Sequence, residues 1–427
     1  MRISQLCTMF SHVSLMFLPA MLLFGLLGTS AAAQDHGLTW TGTWTASPMR
    51  DEAGQEFNRQ TLRQIVHTSI GGHMARIRIS NLFGIQALTV SNVHLAQRSK
   101  DSSIIAATDR KVQFGGSSLV TVQPGTAAIS DPVDFEVPHL ADVAISFYLP
   151  NPTGPTTYHP SGLQTNYIAN GDVSGSTSIS PAKTTQSYYF LANLDVQNQA
   201  ARGSVVTLGA SITDGYSSHA DTNRRWPNDL ALRLLNSGIN IGVLNQGISG
   251  NRLLVAGAGD SAETRFERDA LSQPGVRWVI FSDDPINDLG STTPAPTGDQ
   301  LIAGIRRLIA NTHQRQIQFI CSTLTPYQGA AYWTSAGEAS REQINAFLRS
   351  KTSGCDAVID QDMATHDPLH PTQFLPAYDS GDHLHPNDAG LQAIAEAVNL
   401  SVFADTKIMV RPQPSFIDSA ADVGGRP

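Results

Sequence analysis

The sequence predicts two halves of different class, an all-β sandwich of jelly-roll type followed by an α/β domain built on a parallel sheet. Three observations predict this. From about Leu38 to Leu191 short segments alternate apolar and polar residues, with no stretch of helical period. From Ser204 onward, continuous apolar runs alternate with amphipathic helical ones, the pattern of strands buried on both faces. Between them "ANLDVQNQAARG", residues 192–203, is polar and reads as a linker. The expected boundaries are therefore 35–191 for the sandwich and 204–404 for the α/β domain.

Taken in order, the chain opens with Arg2 and the apolar run "VSLMFLPAMLLFGLLG". The small-residue stretch "SAAA" follows, with a cleavage site near Ala31 and Ala33. Residues 1–33 therefore read as a secretory signal peptide, and the mature protein as secreted or periplasmic, with no stable membrane insertion once the signal is removed. The strands of the first half are "TWTGTWTAS", "TLRQIVHTSI", "HMARIRISN", "ALTVSNVHLA", "SLVTVQP" and "DVAISFYLP", with Gly71-Gly72 as a hairpin turn between two of them. The second half offers strands "SVVTLG", "INIGVLNQG", "RWVIFS", "IQFICSTLTP" and "DAVID". Helical patterns lie near 226–237, 261–272, 298–313, 336–352 and 387–402, with Pro227 in a first turn and Gly238 as a C-terminal cap. The segment from 405 to 427 reads as an irregular tail.

Composition narrows the function. A formal charge of −8, with no cluster of Lys and Arg, excludes a general nucleic-acid binder. Cys7 falls within the signal peptide, leaving Cys321 and Cys355, which read equally as a disulfide or as two buried thiols. No cysteine spacing suggests a zinc site, and neither cofactor nor metal is expected.

In parallel sheets, functional groups gather beyond the carboxyl ends of the strands. Ser211, in "SVVTLGASITDGYSS", lies just past the end of the first. A serine hydroxyl needs a base to take its proton. "DHLHPNDAG" supplies one: His385, with Asp382 three residues before it in a loop that can fold the carboxylate back onto the ring. "LNQGISGN" ends the second strand, where the Gly250 N–H can approach an oxyanion. "FSDDPINDLG" ends the third, where Asn287 offers an amide. The catalytic candidates are thus Ser211, His385 and Asp382, and the oxyanion candidates are Ser211, Gly250 and Asn287.

Other readings were weighed against these. His383 with His385, or His366 with His370, has a spacing that suits metal ligands, but no carboxylate-rich cluster completes a site. Asp283 and Asp284 are adjacent, as loop or cap residues rather than a glycosidase pair. Asp214 is expected to cap or turn the loop after Ser211. Trp40, Trp44 and Trp226 read as packing residues, and an exposed Trp333 as a surface for a sugar ring.

Four blocks carrying Ser211, Gly250, Asn287 and His385 with Asp382, in that order, resemble the SGNH, or GDSL-type, hydrolase superfamily over residues 200–403. The chain as a whole, with "TGTWTASPM" and the wide β region, is similar to a secreted two-domain subgroup that resembles arylesterases and acetylxylan esterases. The resemblance implies a three-layer, flavodoxin-like hydrolase domain. It also implies a serine esterase acting through an acyl-enzyme on short-chain esters, with acetylated polysaccharide or aryl esters as substrate. A lipase-like or general carboxylesterase, and a catalytically impaired carbohydrate-binding protein, are the alternatives. Two positions depart from the family pattern: Ala210 stands where Asp precedes the nucleophile, and Pro285 where Gly precedes "IND". The first removes a carboxylate beside Ser211, and the second is expected to tilt the Asn287 loop.

Overall fold

A computed structural model describes residues 40–404. The signal peptide read at 1–33 and the tail read at 405–427 lie outside the described residues.

The first half is a sandwich of two antiparallel sheets. One sheet contains β1 (Trp40–Thr45), β3 (Gly72–Ser80), β5 (Val133–Val137) and β9 (Leu191–Gln197), in the order β1-β9-β3-β5. The other runs β8-β2-β6-β4 through its centre, with β2 (Gln60–His67), β4 (Leu88–Lys100), β6 (Asp142–Leu149) and β8 (Asn166–Asn170). A short strand, β7 (Thr157–His159), lies outside both sheets. Alternation sorts the side chains. Ile77 and Ile79 of β3 and Leu194 and Val196 of β9 meet Val66 of β2 and Val143, Ile145 and Phe147 of β6 in one buried core.

Two sequence expectations change here. Gly71-Gly72 does not close a hairpin, because β2 and β3 belong to different sheets. The pair instead crosses between sheets where backbones crowd: a Cβ would lie 2.4 Å from the Val137 oxygen at Gly71, and 2.5 Å from the Gln197 oxygen at Gly72. The linker read at 192–203 begins as a strand. β9 pairs with β1 on one side and β3 on the other. Its polar residues, on the face opposite Leu194 and Val196, are buried against partners: Asp195 accepts from Arg76 Nε at 2.9 Å, and Asn193 donates to Gln273 at 2.8 Å.

The second half holds five parallel strands, β10 (Ser204–Gly209), β11 (Gly242–Gly247), β12 (Val276–Phe281), β13 (Gln318–Ser322) and β14 (Ala357–Ile359), in the order β11-β10-β12-β13-β14. This is the doubly wound, flavodoxin-like order, with its switch point between β10 and β12. Successive residues of each strand feed opposite cores. Val205 and Ile280 pack with α2 (Trp226–Asn236) and α8 (Asp388–Glu396). Val206, Leu208 and Phe281 pack with α3 (Ala262–Phe266), α5 (Gly298–Gln314) and α6 (Ser335–Arg349). Pro227 sits in the first turn of α2, and Gly238 follows it with φ +69°, as expected of a cap. Cys321 and Cys355 form a disulfide across 34 residues, a loop whose closure contributes about 3–4 kcal/mol on an unfolded-chain entropy model.

The two halves pack against each other within one compact unit. β1 lies against β11: Thr45 Oγ1 donates to the Asn245 oxygen at 2.9 Å, and Val243 N–H donates to Ser69 Oγ at 2.9 Å. No helix among the described residues is long and apolar enough to cross a membrane.

Candidate active site

β10 ends at Gly209, and a four-residue helix, α1 (Ser211–Asp214), starts two residues later. The reversal places Ser211 at the carboxyl edge of the sheet, beside the switch point. Its Oγ lies 2.8 Å from His385 Nε2, and His385 Nδ1 lies 2.6 Å from Asp382 Oδ2. A ring nitrogen facing a carboxylate carries its proton, so Nε2 is the lone-pair nitrogen and accepts from the serine. Asp382 folds back on its own loop: Oδ1 accepts the N–H groups of Leu384 at 2.9 Å and His385 at 2.8 Å. Partial burial raises the Asp382 pKa, but the bonds from the His385 ring and from these two amides outweigh it and bring the carboxyl down to about 2.

The oxyanion candidates follow the carboxyl ends of β10, β11 and β12. Neither the Ser211 nor the Gly250 N–H has a backbone acceptor among the described residues. Gly250 has φ +80°, which favours glycine. Asn287 is buried on a helix, α4 (Asp284–Ser291), and not in a loop. Its Nδ2 donates to the Asn251 oxygen at 2.9 Å, and its Oδ1 accepts from Tyr332 Oη at 2.9 Å. Burial, with Tyr327, Asp283 and Asp382 nearby, pushes the Tyr332 pKa up, so its hydroxyl stays a donor. The Asn251 carbonyl oxygen can only accept, which settles which end of the amide is nitrogen and leaves one Nδ2–H uncommitted.

Both departures from the family pattern have local answers. Pro285 occupies the first turn of α4, where a missing N–H costs nothing, so it starts the helix instead of tilting a loop. Ala210 leaves no orphan at Ile212, because Asp283 accepts that amide from across the sheet at 2.8 Å. Asp283 also accepts from Thr213 Oγ1 at 2.6 Å. Asp284, its neighbour, is fully buried 3.7 Å from Arg265 Nη2.

Several contributors escaped the sequence reading. Arg265 is fully buried and donates to Asn251 Oδ1 at 2.9 Å, the Gln246 oxygen at 2.7 Å and the Gly209 oxygen at 3.0 Å. It thereby joins the ends of β10 and β11. Tyr216 is 47 % exposed, with its ring centroid 4.3 Å from that of His385. Trp333, read as an exposed sugar surface, is instead half-buried against the core and donates from Nε1 to Glu338 at 3.2 Å. Its position after a turn carries no local sign of this. Of the histidines weighed as metal ligands, His383 and His370 each take a carboxylate, as His385 does, whereas the Nδ1 of His366 has no hydrogen-bond partner. His383 pairs with Asp379 at 2.5 Å and His370 with Asp367 at 3.0 Å, while His366 lies 3.9 Å from Asp362.

The switch point of the sheet and the Ser211–His385–Asp382 contacts thus meet at the carboxyl edge of the second half. Residues 207–393 match the model of the GDSL-like lipase/acylhydrolase family. Among solved structures, the chain is similar to a lipolytic protein of the G-D-S-L family from Desulfitobacterium hafniense. Identity is 20 %, 46 % of this chain and 97 % of that one are covered, and the TM-score is 0.36. It is also similar to an acetylxylan esterase from Geobacillus stearothermophilus, at 20 % identity over 48 % of this chain and 95 % of that one, with a TM-score of 0.37. A GDSL-like lipase from Bacteroides thetaiotaomicron is 17 % identical over 47 % and 88 %, with a TM-score of 0.36. No curated protein matches the chain.

Proposed function

We propose that the chain is an exported serine esterase that hydrolyses short, acetyl-type esters of sugar or aryl alcohols through an acyl-enzyme. The observation that carries this reading is the continuous relay from Ser211 Oγ to His385 Nε2, 2.8 Å, and from His385 Nδ1 to Asp382, 2.6 Å. Ser211 Oγ attacks the ester carbonyl as His385 takes its proton. The oxyanion is held by the N–H groups of Ser211 and Gly250 and by the uncommitted Asn287 amide proton. On collapse His385 returns the proton to the leaving alcohol, and the C–O bond to that alcohol breaks. Water, deprotonated by the same imidazole, then attacks the acyl-enzyme and releases the acid.

Two features support the substrate class. The loops after Ser211 and Asn287 ("SSHADTNRR", "GSTTPAPTGD") are polar and lack the long apolar run that would cover a fatty chain. Tyr216, half exposed beside the imidazole that protonates the leaving group, offers a face to a ring-shaped alcohol. The Cys321–Cys355 disulfide supports export.

The test is a chain-length series of p-nitrophenyl esters beside acetate release from acetylated xylan. Acetyl esters are expected to turn over faster than octanoyl or longer ones, with acetate released from the glycan. A rate rising steadily with acyl length, and no acetate from any glycan, would make the enzyme lipase-like or a general carboxylesterase. No turnover of any ester would leave the carbohydrate-binding reading.

A further inference from the structure

We propose that the β-sandwich half is part of the esterase centre, with His159 of β7 as a positioning residue that holds Asp214, and through it the spacing between the Ser211 helix and the Gly250 loop.

The geometry is continuous. Asp214 ends α1, three residues after Ser211, and its side chain is only 4 % exposed. One oxygen accepts from Ser249, at 2.9 Å from the backbone N–H and 2.7 Å from the hydroxyl. Ser249 immediately precedes Gly250, so this carboxylate ties the nucleophile helix to the loop that carries the second oxyanion donor. The other oxygen lies 3.0 Å from His159 Nε2. His159 Nδ1 in turn lies 3.1 Å from the Ser47 carbonyl oxygen. Both ring nitrogens therefore face acceptors, which only an imidazolium can bond at once, joining the sandwich to the helix. A carboxylate this deeply buried needs such a partner, because an unpaired buried charge is strongly unfavourable. Burial alone raises the Asp214 pKa, but His159 and the Ser249 hydroxyl, with Arg225, bring it below the usual carboxylate range.

The grip continues along the loop that follows β7. The Leu163 oxygen accepts from Asp221 N–H at 2.9 Å. The Asp221 carboxylate accepts from Gln164 Nε2 at 2.7 Å and from Thr165 N–H at 2.6 Å. Arg225 donates to the Gly162 oxygen. The loop after the nucleophile, from Asp214 to Arg225, is thus held at both ends by residues 159–165. An oxyanion hole loses much of its effect when its donors move by about 1 Å. The sandwich therefore supplies a rigid frame on which that spacing depends.

This proposal rests on the esterase reading, so the wild-type enzyme is assayed first with p-nitrophenyl acetate. Absence of turnover there would sink the esterase reading itself. With turnover established, active sites of each variant are counted by the acyl-enzyme burst, and kcat is expressed per titrated site. A merely structural contact would lower the number of sites and leave kcat per site unchanged. His159→Ala is expected to lower kcat per site at least tenfold, with KM within about threefold. Affinity for a trifluoromethyl ketone analogue of the tetrahedral state should fall in parallel. His159→Gln, whose amide N–H can replace Nε2 as donor, should restore part of the loss. Asp214→Asn should act in the same direction as His159→Ala, and these two conservative variants carry the test if the alanine variant does not fold. Unchanged kcat per site in the folded variants, or a loss confined to KM, would overturn the proposal.

Discussion

Asp283, just past the end of β12, accepts hydrogen bonds from the Ile212 amide at 2.8 Å and the Thr213 hydroxyl at 2.6 Å. The Ser211 turn is therefore held by a carboxylate from the neighbouring strand and not from the residue before the serine. That residue, Ala210, is fully buried and brings no polar group of its own. Such an arrangement fixes the turn to the sheet rather than to itself, and it joins the Ser211 turn to the segment that leads into Asn287.

Replacing Asp283 should accordingly harm both stability and rate. Asp283→Ala leaves a buried N–H without its acceptor, a loss of about 1–3 kcal/mol. Urea unfolding should show a lower midpoint with an unchanged slope. Turnover should drop mainly in kcat, since the change displaces Ser211 and not a substrate contact. An unchanged midpoint would show that water replaces the carboxylate without loss.

Asn287 makes a sharper test of the oxyanion site. Asn287→Ala should lower kcat by roughly 10²–10³ with a smaller effect on KM. Tyr332→Phe removes only the bond that orients the amide, 2.9 Å from Oδ1, and should cost less, about tenfold. Steady-state kinetics on p-nitrophenyl acetate separate these outcomes. A change in KM alone would assign Asn287 to substrate binding.

Much of the candidate site was legible because it is local. Ser211, Gly250, Asn287 and the Asp382–His385 pair each sit in a short block, and their order along the chain matches the order of strand ends. The parallel sheet was legible for a similar reason, since strands buried on both faces are continuous apolar runs. What the sequence hid is what depends on pairing across the chain. β9 looked like a linker because Asn193 and Asp195 are polar, yet they are buried against Gln273 and Arg76. Its apolar alternation, Leu194 and Val196, was present but outweighed. His159, Asp283, Arg265 and Tyr332 each act through a partner more than 10 residues away, and no local spacing marks them. Asn287 was placed in a loop together with Pro285, whereas Pro285 opens α4.

The acid limb of the pH–rate profile should belong to the imidazole. An imidazolium cannot accept the Ser211 proton, so kcat/KM should fall on acidification. Asp382, at about 2, stays ionised through that limb, which should therefore have the slope of a single proton. Asp382→Asn should lower kcat by roughly 10²–10⁴, because the ring loses its orienting carboxylate. A profile flat down to about pH 4 would contradict a histidine base.

Asp284 should make stability fall as pH rises. Neither of its oxygens has a hydrogen-bond partner, and its nearest cation is Arg265 Nη2 at 3.7 Å. Burial, reinforced by Asp283 and Asp288 and opposed by Arg265, pushes the carboxyl up to about 7. An exposed aspartate titrates near 3.9, so the folded chain holds this proton more tightly than the unfolded one. The stabilisation is full below about pH 4 and is lost progressively as pH rises from there through about 7. Other buried carboxyls, Asp288 and Asp229 at about 6, titrate in the same window, so the measurement has to be a difference. Asp284→Asn cannot ionise. Its Tm, compared with that of the wild type, should therefore improve steadily between pH 5 and pH 8. Parallel Tm curves for the two proteins across that range would show that Asp284 titrates alike in the folded and unfolded states.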